Sequence, residues 1–293
     1  MIKCLTACNT TLARANGRLE LARCAAFPAG PALAGALVAW GGAGPAFVLA
    51  TLLSAAAVAC LLRIVEPKRV PTAPGHPWLE LSDGARLVWR HPLLRPILLT
   101  SIAWNIAWFV LQAVYVPYAV RSLGLDPGAV GFTLAVHGAG MLVGALAAPR
   151  VVGTLAFGRA IQLGPLVSVL AAATMAATLI VPQAWLAALA YFMFGAGPII
   201  WTVTSTTLRQ SVTPHAMLER VSALFLTANM GARPLGAALG GFVGSAWGEA
   251  ACLLLALAGF GVQLGVILAS KVSALRRLPA GEGALGPGAK IPG

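Results

Sequence analysis

Residues 96–119 read PILLTSIAWNIAWFVLQAVYVPYA, a run without a single charged side chain. As a helix it is about 36 Å long at 1.5 Å per residue, against a hydrocarbon layer of about 30 Å. Only a helix or a closed barrel satisfies its backbone inside lipid. The run lacks the strict alternation of a barrel strand, so a membrane-spanning helix is expected here.

Working outward, seven more stretches meet the same test. Together the expected spans are 24–42, 45–64, 96–119, 128–148, 160–181, 184–206, 221–246 and 249–270. The expected fold is therefore an all-α membrane protein with about eight transmembrane helices. Composition agrees: 59% of the 293 residues are hydrophobic and only 10% are charged, whereas soluble domains carry about 25% charged residues. So little polar surface does not cover a water-soluble core, which excludes the soluble enzyme classes. The net charge of +12 does not point to nucleic acid either, because the basic residues fall in small groups between apolar runs and form no basic face.

The distribution of those charges orients the spans. Of the 20 Lys and Arg residues, all but Arg121 and Arg233 fall at joints on one side of the map. Basic joints remain in the cytosol, so both termini are expected there, in the cell membrane. The five cysteines build no disulfide framework: Cys24, Cys60 and Cys252 lie in apolar stretches as packed thiols, and Cys4 and Cys8 lack further ligands for a metal. The long joint at 65–95 opens with turn formers and continues with Trp78, Leu81, Ala85 and Val88 at helical spacing, opposite Glu80, Asp83 and Arg86. This is the pattern of an amphipathic helix lying at the inner membrane surface.

An internal echo divides the chain. Gly30-Pro31-Ala32-Leu33-Ala34-Gly35 is followed by Gly41-Gly42 and a new span, and Arg233-Pro234-Leu235-Gly236-Ala237-Ala238 by Gly240-Gly241 and a new span. If spans 1–2 match spans 7–8, the repeat unit is six helices, and the front half lacks its first four. The expected organisation is 1–64, two helices of an N-terminal half; 65–95, the cytoplasmic linker; 96–270, a six-helix C-terminal half; and 271–293, a cytoplasmic tail.

Ala26-x-x-x-Gly30-Pro31-x-x-Ala34-Gly35 resembles the antiporter motif on the fifth helix of drug-efflux members of the major facilitator superfamily, with Ala26 and Ala34 in place of two glycines. Asp83-Gly84-x-Arg86-x-x-Trp89-x-His91-Pro92-Leu93-Leu94-Arg95, Thr207-Leu208-Arg209-Gln210-Ser211-Val212-Thr213-Pro214 and Pro234-Leu235-Gly236 are similar to the branch containing enterobactin-exporter-like and macrolide-efflux-like proteins. The resemblance places these spans at helices five to twelve of a two-half, 6+6 fold, N-terminally truncated. The loop expected at 149–163 keeps Gly158-Arg159 of the family's loop motif but has Pro149 near the place of its acid.

The resemblance implies a transporter, not an enzyme, that moves a drug-like or siderophore-like small molecule outward by alternating access. No cofactor and no nucleic-acid partner are expected; the partners are the substrate, the lipid bilayer and protons as coupling ion. Two other readings stand beside it: a non-transporting remnant of such a carrier, or a permease subunit needing a partner.

Candidate residues follow from polarity inside the spans. Trp104, Trp108, Gln112 and Tyr115 share one helical face, with Asn105 beside it. That face reads either as the wall of a substrate cavity or as interfacial aromatics with an interhelical hydrogen bond. Arg233 lies inside a span, where a charge costs about 2.5–3.5 kcal/mol, and needs a cavity or partner. It fits an anionic substrate group, or carbonyls freed by Pro234, or outward snorkelling. Asn229 is one turn before it. His137 reads as a proton relay or a packed imidazole. Glu20, Arg23, Arg159, Arg209, Glu219 and Arg220 are candidate gate or loop charges at cytoplasmic joints. None of the eight acidic residues falls deep in a span, so a carboxylate for proton coupling is expected in the missing helices. Periplasmic reporter fusions at residues 43 and 183 should be active, and one at residue 68 inactive; the opposite pattern would reverse the map.

Overall fold

The computed structural model describes residues 26, 30, 33, 34, 37, 38, 40–62, 77–214 and 217–279. Among them the helices are α1 (Ala43–Leu61), α2 (Pro77–Arg90), α3 (Leu94–Arg121), α4 (Pro127–Thr154), α5 (Phe157–Ala177), α6 (Ala184–Val212) and α7 (Leu218–Leu268), followed by a 3-10 turn, η1 (Lys271–Ala274). Six of these are long and apolar enough to cross a membrane.

The longest, α7, has 51 residues and is interrupted at Gly248 (φ 83°, ψ 174°). Such dihedrals are open essentially to glycine alone. The chain reverses there. Cys252, just past the break, donates its thiol to the Gly240 carbonyl (3.3 Å). Val221 and Phe225 from the start of α7 share one core cluster with Ile267 from its end. The two limbs, 218–247 and 249–268, are therefore antiparallel and count as two crossings. With α1 and α3–α6 the described residues carry seven, and the first expected span, 24–42, falls mainly outside them. Gly42 ahead of α1 has almost the same dihedrals (φ 76°, ψ −168°). The two ends of the sequence echo thus share one turn device.

Glycines set how closely the helices approach. Gly236, Gly240 and Gly244 recur every fourth residue and lie against Ile106, Val110 and Val114 of α3. A Cβ at Gly236 would stand 2.5 Å from the Ile106 carbonyl oxygen, and one at Gly240 2.8 Å from that of Val110. The same holds between α4 and α6, where a Cβ on Gly140 meets the Phe192 carbonyl and one on Gly195 meets that of His137. In lipid no hydrophobic force draws helices together, so this contact and interhelical hydrogen bonds must do so.

Several expectations change in detail. The loop expected over 149–163 shrinks to Leu155 and Ala156, because α4 runs through Pro149 to Thr154 and α5 starts at Phe157. Gly158 docks on the C-terminal segment instead: its N–H donates to the Leu275 carbonyl (2.7 Å), and that of Phe157 to Arg276 (3.3 Å). A side chain at 158 would strike the Ser273 carbonyl. Cys252 is buried as expected, but Cys60 is exposed, since α1 has no buried residue at all; Cys24 is outside the described residues. The 65–95 joint carries α2, whose Val88 is fully buried and whose Asp83 pairs with Arg220 of α7 (3.4 Å).

Overpacking a tight core costs about 1–3 kcal/mol. Gly195→Val and Gly240→Val should therefore lower the melting temperature of the purified protein in detergent. Gly261→Ala, which meets no atom within 4 Å, should leave it nearly unchanged.

Candidate functional site

Two groups of side chains gather the residues picked out in the sequence. The first is polar and lies between α3 and the first limb of α7. Helical spacing puts Ser101 and Asn105 on one face of α3, and Asn229 and Arg233 on one face of α7. Ser101 Oγ donates to Asn229 Oδ1 (2.9 Å). Asn105 Nδ2 donates to the Ser101 carbonyl (2.9 Å) and to Asn229 Oδ1 (3.4 Å). Arg233 Nε donates to Asn105 Oδ1 (3.2 Å). The guanidinium also sits over the Phe109 ring, 5.6 Å from its centre. Arg233 is thus turned sideways onto α3 rather than toward its own helix backbone, and no carboxylate meets it among the described residues. A guanidinium fixed through one nitrogen, with an aromatic face beneath it, keeps donors available for an anionic group.

The second group is aromatic. Trp104 and Trp108 stack (5.6 Å between ring centres). Trp108 stacks on His137 of α4 (5.2 Å) and meets Phe194 of α6 edge-on (5.0 Å). Tyr115 packs on Tyr191 (4.3 Å), and Phe194 on Phe260 of the second α7 limb (5.0 Å). The polar ends find partners: Tyr191 donates its hydroxyl to Gln112 Oε1 (2.9 Å), Tyr115 bonds Thr133 (2.5 Å), and His137 Nδ1 lies 3.3 Å from the Tyr191 carbonyl. Tyr115 and Tyr191 are completely buried. Trp104 is partly exposed, and its indole nitrogen is a buried donor without a partner. The expected face on α3 therefore exists, closed over at Tyr115 and open at Trp104.

The structure leaves the remaining candidates dispersed. Arg209 lies over the Phe225 ring (4.8 Å) with its Nε unpartnered. Arg220 holds Asp83, while Arg159 and Glu219 are exposed. Glu20, Arg23, Pro31 and Gly35 are outside the described residues, and so are the side chains of Trp78, Glu80 and Leu81. Ala26, Gly30 and Ala34 are helical, and a Cβ on Gly30 would meet nothing within 4 Å. Sequence reasoning missed Ser101, Thr133, Tyr191, Phe194 and Phe260. Ser101 was legible as the residue one turn before Asn105; the others depend on which helices become neighbours.

A family model described as the Major Facilitator Superfamily matches residues 9–237. Among individual proteins, the chain is 29% identical over 218 residues to the "uncharacterized MFS-type transporter y4rN" of Sinorhizobium fredii, covering 73% of this chain and 53% of that protein. It is 28% identical over 248 residues to the enterobactin exporter EntS of Shigella flexneri, covering 84% and 57%. It is also 28% identical over 251 residues to EntS of Escherichia coli O81, covering 84% and 58%. The chain spans little more than half the length of the curated relatives it matches. With the apolar helices, the glycine-spaced packing and the family match taken together, the chain is a multi-pass membrane protein belonging to the major facilitator superfamily of transporters.

Proposed function

We propose that the chain forms part of an efflux carrier for a small organic molecule, drug-like or siderophore-like, in the cell membrane with both termini in the cytosol. The observation that carries this reading is Arg233. It is held inside the bundle by Asn105, and no described span offers it a carboxylate. An intramembrane charge with no counter-ion is expensive, and serving a substrate is the usual reason for keeping one. Trp104, next to Asn105 and with its free indole N–H, and Trp108, about one turn on, add an aromatic wall on α3. Relatives named as exporters favour the outward direction. Protons are the coupling ion in this reading, and His137 is the only imidazole within the described spans.

The second reading is a chain that needs another polypeptide or further helices to transport. It is favoured by α1, none of whose residues is buried. In a two-half carrier one half rocks against the other, so α1 would be covered by what completes its own half.

Dye-efflux rates and drug susceptibility separate the two. Cells expressing the chain joined to four upstream spans taken from a full-length relative should export; cells expressing the chain alone should export much less. In the exporting form, Arg233→Ala should slow efflux of anionic dyes at least about tenfold, the equivalent of one lost interaction of about 1.4 kcal/mol. Neutral dyes and membrane insertion should be little affected, and Arg233→Lys should retain part of the rate. Equal efflux of anionic dyes by Arg233→Ala would remove Arg233 from the substrate site.

A further inference from the structure

A second cationic site lies at the opposite end of α3 from the outer turn, where α2, the start of α3 and the end of α7 meet. A cleft of about 380 Å³ opens there. Arg90, Arg95 and Lys271 line it, and no acidic residue does. All three are exposed, and none has a carboxylate partner among the described residues. Trp89, 56% exposed, stands at its rim with the Arg95 guanidinium 4.9 Å from its ring centre.

The walls of the cleft change character along the helices that form it. Arg90, Arg95 and Lys271 lie just outside the apolar spans. Pro96, Leu99 and Val266 continue the lining into the first turns of α3 and the last turns of α7. In a bilayer crossed by α3 and α7, a cleft so lined would begin at the level of the lipid headgroups and run on into the hydrocarbon. Backbone donors at the start of α3 do not compete for a ligand, since the N–H groups of Leu93 and Leu94 both point to His91 Nδ1 (3.2 and 3.3 Å). Arg90, Arg95 and Lys271 are the arginine and lysine side chains of the lining, beside the polar His91 and Ser270.

We infer that this cleft is a binding site for an anionic phospholipid of the leaflet on the basic side. The phosphate lies among Arg90, Arg95 and Lys271, Trp89 packs at the headgroup level, and one acyl chain lies along Leu99 and Val266. Charge complementarity selects the headgroup, because three cations with no acid favour a net negative lipid over a zwitterionic one. The apolar part of the lining, Pro96, Leu99 and Val266, selects a lipid over a free phosphate, which has nothing to place there. An interfacial tryptophan is the ordinary anchor at that depth. The site is separate from Arg233 and independent of any substrate reading.

The test uses the purified full chain in detergent. Native mass spectrometry counts bound lipid as phosphatidylglycerol or phosphatidylcholine is titrated in. Each basic side chain near the surface is worth about fivefold in anionic-lipid affinity. The wild-type chain should therefore prefer phosphatidylglycerol by at least about tenfold. R90Q/R95Q/K271Q should lose that preference, while R150Q/R276Q/R277Q, which removes as many exposed charges elsewhere, should keep it. Equal binding of the two lipids by the wild-type chain overturns the proposal even if the triple variant fails to fold. A preference that survives in R90Q/R95Q/K271Q overturns it as well. Displacement of phosphatidylglycerol by millimolar inorganic phosphate would show that the cleft takes a free anion rather than a lipid, and would overturn it too.

Discussion

The rest of the bundle depends on the close approach of α3 to the first limb of α7. A stripe of Gly236, Gly240 and Gly244 lets the α7 backbone reach the carbonyls of Ile106 and Val110. Lipid tails are as apolar as the side chains they would replace, so dispersion at such short range is the available attraction. The same approach brings Asn229 and Arg233 within hydrogen-bonding distance of Ser101 and Asn105. Interhelical hydrogen bonds in membranes contribute only about 0.6 kcal/mol each on average. The network is therefore better understood as an arrangement that orients Arg233 than as the glue between the helices.

Much of this was legible in the sequence, for physical reasons. Span length and lopsided charge are one-dimensional quantities: a run such as 96–119 is apolar whatever its neighbours. Positions 104, 108, 112 and 115 share a face because helical geometry is fixed, and Arg233 stands out because the bilayer penalises charge. Contacts between helices were not legible. Tyr191 meets Gln112 and Tyr115 because glycines place α6 against α4 and α5, which brings its aromatic side chains across to α3, and no spacing within α6 reveals that. The ends of helices were also misjudged. A loop was expected over 149–163, yet α4 continues through Pro149 to Thr154, since a helix in a packed bundle tolerates proline when neighbours re-satisfy the freed backbone.

The two ends of the sequence echo behave differently in the structure. Around Gly248 the second copy is packed: Cys252 bonds the Gly240 carbonyl, and Gly244 lies against Val114. Around Gly42 the first copy has the same turn but no buried side chain in the helix that follows. Closely similar glycine dihedrals thus stand in two different tertiary settings, which separates what the glycine does from what the surrounding bundle does. The glycine dihedrals recur without the packing, whereas burial requires a neighbouring face.

The junction between Gly158 and the C-terminal segment bears on how this protein is handled. The opening N–H groups of α5 are satisfied by Leu275 and Arg276, residues that follow the last membrane crossing and would ordinarily be treated as dispensable tail. An affinity handle or fluorescent reporter inserted directly after Leu268 would deprive α5 of those acceptors and leave its first turn exposed to water at the bundle edge. Fusion sites beyond residue 279 leave that clasp whole.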